Sequence, residues 1–169
     1  MSLLKRGRIA ADPWIAVADD AEMPPGGCVL VSLARWQKDH AALRARNGEI
    51  GVRLPNSAVV ETIAADLDRI ALVALEFPKF NDGRAFSQAR QLRERHGYLG
   101  ELRATGQVLR DQLLFMARCG FDAFELAKGE PVAAWAQALA EFTVFYQPTA
   151  DGRATAGALR RARQPAPAD

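Results

Sequence analysis

The sequence predicts an α/β protein, with repeated strand–helix units forming a mainly parallel sheet. Three observations predict it. Short apolar runs alternate with segments of helical periodicity six times along the chain. The run Ile70–Phe77 is almost wholly apolar, which suits a central strand covered on both faces. Arg95-His96-Gly97-Tyr98 and Arg118-Cys119-Gly120-Phe121 share one form, 23 residues apart: a helix end, a glycine able to take positive φ, and an aromatic entering a strand. An open three-layer sheet is the first expectation. A partial or irregular (β/α) barrel is the second, because short units at this spacing also suit barrel construction.

In chain order, residues 8–10 and 14–17 read as short strands around Asp12-Pro13, forming an edge hairpin. Pro24-Pro25-Gly26-Gly27 then breaks the chain. Cys28-Val29-Leu30-Val31-Ser32 reads as a buried strand, followed by a helix over 34–46 that Asn47-Gly48 ends. Residues 50–54 form the next strand. A helix then runs to Asp66, capped by Asn56 or Ser57. Pro78 stops the strand 70–77, and a helix follows the turn at 79–83 as far as His96. Its apolar positions Ala85, Phe86, Ala89 and Leu92 recur at helical spacing. A strand over 100–105, a helix over 107–118 and a strand over 121–126 come next. Gly129-Glu130-Pro131 starts a last helix, 132–140, and residues 142–146 read as a sixth strand. Residues 1–150 are expected to make one domain, and 151–169 a flexible tail ordered at most through a short helix near 156–163.

Apolar residues are 49% and charged residues 25% of the chain, an ordinary globular balance. A net charge of +2 is too small to imply nucleic acid, and no aromatic residue interleaves with the basic tail to stack on bases. The start MSLLKRGRIAADPW lacks the apolar stretch of a secretory signal, and the apolar runs are too short to span a bilayer. A cytoplasmic protein without membrane or nucleic-acid partners is expected. Cys28 and Cys119 form no C-x-x-C motif and no metal cluster with His40 or His96, so they read as free thiols. No phosphate-binding loop, dinucleotide fingerprint, nucleophile elbow or zinc motif is present, so no cofactor is expected.

In either architecture, ligands sit at the carboxyl ends of the strands. After the third strand comes Phe80-Asn81-Asp82-Gly83-Arg84, then Ser87 and Arg90. After the fourth comes Arg103-Ala104-Thr105-Gly106. Both turns lead into helix starts, which favour anions. Asp82, Gly83, Arg84, Ser87, Arg90, Arg103, Thr105 and Gly106 are therefore the candidate ligand residues, with the arginines gripping a phosphate, sulfate or carboxylate. The plain alternatives are that Asp82 and Thr105 cap helices and that Arg84 is solvated. Glu101, Arg103 and Thr105 share one face of their strand by the period of two. Charges there demand partners. Glu101 with Arg103 or Arg84, and Asp111 with Arg110 or Arg118, are the pairs expected. Asp82 and Glu101 are the candidate acids or bases, though no constellation of partners marks either as catalytic.

The same fifty residues carry a family resemblance. The pattern F-P-x-F-x-D-G-R-x-(F/Y)-S-x-A-R is met by Phe77, Pro78, Phe80, Asp82, Gly83, Arg84, Phe86, Ser87, Ala89 and Arg90. G-(E)-L-R-A-x-G-x-V-L-R-D-Q is met from Gly100 to Gln112, and R-C-G-F-D-(A)-F from Arg118 to Phe124. The chain resembles a bacterial family of unknown function whose members are typically encoded beside assimilatory sulfite reductase and labelled oxidoreductases of sulfite reduction. That resemblance implies an accessory protein of assimilatory sulfate and sulfite reduction, working with sulfite reductase or its electron donor or holding a small anion. It transfers no catalytic residue. A small enzyme acting on an anionic substrate through Asp82 or Glu101, and a structural subunit, with homo-oligomers allowed, are the alternatives.

Overall fold

The computed structural model describes residues 2–126 and 132–163. The expected start of the last helix at Gly129-Glu130-Pro131, and the end of the tail beyond 163, lie outside them. Eight strands form one sheet: β1 (Ser2–Lys5), β2 (Arg8–Ala10), β3 (Trp14–Ala16), β4 (Cys28–Ser32), β5 (Ile50–Leu54), β6 (Ile70–Phe77), β7 (Glu101–Gly106) and β8 (Ala123–Leu126). The spatial order is β2-β1-β8-β7-β6-β5-β4-β3. From β3 to β8 each strand lies parallel beside the one before it. β1 then adds antiparallel to β8, and β2 antiparallel to β1.

That order overturns the first expectation, the open three-layer sheet. Crossovers of one hand that always step the same way along a sheet leave every connecting helix on the same face. The main core accordingly lies on one side of the sheet. There Val29, Val31, Ile50, Val52, Val73, Leu75, Leu102, Ala104 and Phe124 pack with Trp36, Leu43, Ile63, Ala89, Leu92 and Met116 from the helical segments. The alternate strand residues face the other way. Their only apolar cluster among the described residues is Leu30, Leu72 and Ala74, with Trp14 packed against it. Most charged strand residues, Lys5, Arg53, Glu76, Glu101, Arg103 and Glu125, lie on that face among uncharged ones such as Leu3, Ser32, Thr105 and Ala123.

The sheet is curled into a half-barrel, as one short connection requires. β2 and β3 occupy its opposite edges, yet only residues 11–13 join them. Laid flat, eight strands at about 4.8 Å spacing would separate those edges by about 34 Å. Four chain steps reach at most about 14 Å. The expected edge hairpin at 8–17 is therefore two strands at opposite rims, with Asp12-Pro13 strapping one rim towards the other. The hairpin partner of β2 is instead β1, which the sequence reading missed. Arg6 (φ 50°) and Gly7 (φ 78°) form the tight turn between them, both with the positive φ that a type I′ hairpin turn needs.

The helices are shorter than their apolar patterns predict. The expected helix 34–46 is two, α1 (Leu33–Lys38) and α2 (His40–Ala45), broken at Asp39; Ser32 Oγ caps the first by accepting from Arg35 N at 2.9 Å. The helix expected from Asn56 or Ser57 to Asp66 is a single turn, α3 (Glu61–Ala64). Neither Asn56 nor Ser57 caps it, because the chain from Pro55 to Val60 is spent on turns. α4 (Arg84–Arg90) matches its expectation and widens into a π turn at Gln91–Arg95 before Gly97 (φ 61°) ends it. The expected helix 107–118 starts late, as a 3-10 turn at Arg110–Gln112 and then α5 (Leu113–Arg118). α6 (Val132–Ala140) and α7 (Ala156–Arg163) follow. The strand expected at 142–146 is not one. Phe145 makes a single parallel bridge to Thr155, since the segment lies on the helical side, where no strand edge offers a ladder.

Candidate functional site: the carboxyl-end mouth of the curled sheet

Along the concave face the period of two stacks charged residues in rungs. Ser32, Arg53, Ala74, Arg103 and Ala123 are successive register partners across β4 to β8. One step towards the carboxyl ends, Glu76 pairs in register with Thr105. Arg53 and Arg103 thus share a rung, with only the methyl group of Ala74 between their strands.

Arg103 is buried, and all five of its N–H donors are used. Nε and Nη2 donate to Glu101 Oε1 at 2.9 and 2.7 Å; Nη1 and Nη2 donate to the Asp12 carboxylate at 2.8 and 3.0 Å; Nη1 also reaches Glu125 Oε1 at 3.4 Å. Lys5 Nζ holds the other oxygen of Glu101 at 2.6 Å. Burial alone would lower the pKa of Arg103, but the hydrogen bonds it donates to Asp12 and Glu101 outweigh burial and raise it. The strap between the two rims is therefore pinned to a central strand through Asp12. The expected pair Glu101–Arg103 is present; Arg84 does not join it. Asp111 and Arg110 are exposed and stand apart from it, while Arg118 donates to Gln147 O at 2.6 Å and faces Asp151.

Arg53 is the contrast. It lines an open cavity of about 410 Å³ at the carboxyl ends of the strands, with Glu76, Pro78, Thr105, Gly106 and Glu125. Among the described residues its Nε, which is shielded from solvent, has no hydrogen-bond partner, and its one ion pair is a long one, 3.8 Å to Glu76 Oε1. The cavity size is that of a small-ligand pocket. Gly106 is required at its rim: φ is +88°, and a Cβ there would lie 2.4 Å from Phe77 O. Thr105 is buried, and its hydroxyl donates to Leu75 O at 3.3 Å rather than capping a helix.

The sequence-predicted ligand residues divide between this cavity and the outer surface. Thr105 and Gly106 line the cavity, and Arg103 lies behind it on the same face. Asp82 and Arg84 sit on the following loop and satisfy each other, with Arg84 Nη2 donating to Asp82 Oδ2 at 2.7 Å. That hydrogen bond holds the Asp82 carboxyl well below the usual carboxylate range. Gly83 has φ −83°, a conformation open to any residue, so it needs no glycine for its backbone. Ser87 lies within α4, and Arg90 pairs with Glu94 at 3.1 Å on an exposed helix face. Of the candidate acids, Asp82 follows the carboxyl end of β6, whereas Glu101 begins β7 and lines a second, smaller cavity at the opposite end with Lys5, Trp14, Glu49 and Asp122. No single site holds both.

Sequence reasoning missed Arg53, Glu76 and Glu125 at the mouth, and Asp12 and Lys5 behind it. The signal was present: each of Arg53, Glu76 and Glu125 is a charge inside an otherwise apolar strand, as Glu101 and Arg103 are. Both cysteines are free, as expected, and burial pushes the Cys119 thiol up to about 11. Among the described residues no cluster of three metal-ligating side chains occurs, and no helix is long and apolar enough to cross a membrane.

A search of curated proteins finds no match to the chain. A family model matches residues 51–156, which run from β5 to the start of α7 and include every wall of the mouth. By this match the chain belongs to a family of bacterial proteins of unknown function, DUF934.

Proposed function

We propose that this chain is an accessory binding protein of cytoplasmic sulfite reduction, with the carboxyl-end mouth of the curled sheet as the seat for a small oxyanion. One observation carries the reading. Arg53 lines a ligand-sized cavity with its side chain partly exposed and, among the described residues, held only by a 3.8 Å ion pair to Glu76, on the same rung as an arginine whose donors are all taken. A partly exposed ion pair that long contributes only about 0–1 kcal/mol, so a ligand oxygen can take the guanidinium from Glu76 at small cost. The sulfur chemistry comes from the family resemblance, and the seat from the geometry.

The accessory role has its own support. Over residues 1–141 eighteen cations balance eighteen acids, whereas residues 142–163 hold four arginines against Asp151 alone. Val144, Leu159, Arg160 and Arg163 line a groove there, and Tyr146 in the same segment is exposed. Exposed aromatic and arginine side chains around an apolar groove suit protein docking, and the excess charge suits an acidic partner surface.

The enzyme reading keeps less support. Its candidate base Glu101 is held by Arg103 and Lys5 at the far end of the sheet, and Asp82 is committed to Arg84.

A thermal-shift panel with sulfite, sulfate and phosphate tests the seat. Wild type should gain several degrees with a bound oxyanion. Arg53→Ala should lose that gain, and Arg84→Ala should keep it. A shift that survives Arg53→Ala contradicts the seat. Capture of sulfite reductase by the wild-type chain but not by Arg160→Glu/Arg163→Glu would support the partner role, and equal capture by both would contradict the docking face.

A further inference from the structure

The polar atoms of the mouth are unequal in kind, and this limits what can sit there. Arg53 is the only cation lining it among the described residues. Two carboxylates share the lining: Glu76, 3.8 Å from Arg53 Nε, and Glu125. Among the described residues Glu125 is held only by the long 3.4 Å contact to Arg103, which leaves most of its acceptor capacity open there. Thr105 spends its one proton on Leu75 O and presents only lone pairs. Among the described residues one donor group therefore shares the mouth with three acceptors. An ionised carboxylate accepts and never donates.

A fully deprotonated oxyanion would satisfy Arg53 and then press bare oxygens against Glu76 and Glu125, which is repulsive at short range. An oxyanion that keeps a proton satisfies both sides: an anionic oxygen on Arg53 and an O–H donated to a carboxylate. Such charge-assisted O–H···O⁻ bonds are among the stronger hydrogen bonds.

Resting on the oxyanion seat proposed above, we propose that the mouth selects proton-bearing oxyanions and rejects fully deprotonated ones, with Glu76 and Glu125 as the residues that discriminate. Sulfite then enters in its hydrogen-bearing form. Sulfate and phosphate make the cleanest pair of probes, because they match in size and tetrahedral shape, and at neutral pH phosphate keeps a proton and sulfate does not.

The test is isothermal titration of the full chain at neutral pH with each ion, repeated on Glu76→Gln. A glutamine amide supplies N–H donors where the carboxylate had none. Wild type should bind phosphate at least about tenfold tighter than sulfate, the scale of one hydrogen bond exchanged for a repulsion. Glu76→Gln should narrow that ratio because sulfate binding improves. Equal affinity for the two ions in wild type would overturn the selectivity and leave the seat standing. A phosphate preference unchanged in both Glu76→Gln and Glu125→Gln would overturn the role of the carboxylates. Binding of neither ion nor sulfite to wild type would overturn the seat and the selectivity together.

Discussion

Arg53 and Arg103 share a rung of the sheet, face the same side and are separated by one alanine, yet they live in different circumstances. Arg103 is buried and gives every donor to Asp12, Glu101 and Glu125; Arg53 is partly exposed and, among the described residues, its Nε makes no hydrogen bond and only a 3.8 Å ion pair to Glu76. A buried guanidinium with saturated donors holds the structure together and is poorly placed to exchange partners for a ligand. One at a cavity wall, held only by a long exposed ion pair, gives up little to bind. Charge type and strand position are the same for both. What separates them is which neighbouring elements bring carboxylates, and for Arg103 the decisive one is the strap at Asp12, 91 residues away.

The largest effect that would break this comparison comes from Arg103→Ala. It strands Asp12, Glu101 and Glu125 around an empty space, and removal of one partner from a buried ionic cluster costs about 3–5 kcal/mol. Urea denaturation should show that loss, while Arg53→Ala should stay within about 0.5 kcal/mol of wild type. A similar loss in both variants would remove the distinction.

Asp12→Ala sharpens it from the other side. It removes two charge-assisted hydrogen bonds on a half-exposed carboxylate, a cost of about 1–3 kcal/mol. Because Asp12 pins the strap, amide exchange in β2 and β3 should rise more than in β6. Uniform acceleration across the sheet would show that the strap does not hold the rims.

How much of this was legible beforehand depends on the element. β6 was found with its observed bounds because an eight-residue apolar run announces a strand buried on both faces. The face shared by Glu101, Arg103 and Thr105 followed from the period of two. Strand order was not legible, since apolar pattern reports burial and not neighbours. That is why Arg8–Ala10 and Trp14–Ala16 read as a hairpin although they lie at opposite rims, and why Phe142–Tyr146 read as a strand although it meets only one bridge. The site was half legible. Thr105 and Gly106 are marked by their glycine turn, whereas Arg53 is a lone charge in a short apolar strand with no glycine turn after it.

A smaller effect concerns pH. Burial raises the Asp122 carboxyl above its ordinary value, against the hydrogen bond it accepts from Leu102 N at 2.8 Å. The folded state therefore holds that proton more tightly than the unfolded chain, so this group's contribution to stability falls as pH rises from the ordinary carboxylate range through the raised value. Asp122→Asn can keep the acceptor and should flatten that part of the stability profile. An unchanged profile would contradict the assignment.

The smallest effect is chemical. With its thiol at about 11 and its side chain buried, Cys119 should react with iodoacetamide at pH 8 far more slowly than the partly exposed Cys28. Equal labelling would mean that the core around α5 opens readily.

The most direct test of the division between the two arginines is a side-chain ¹⁵Nε–¹Hε spectrum recorded while sulfite is titrated in. The account predicts a solvent-protected Arg103 resonance that stays in place and an Arg53 resonance that moves with saturation and gains protection. Movement of Arg103 with a stationary Arg53 would contradict it, and would place the ligand on the residue assigned here to holding the sheet closed.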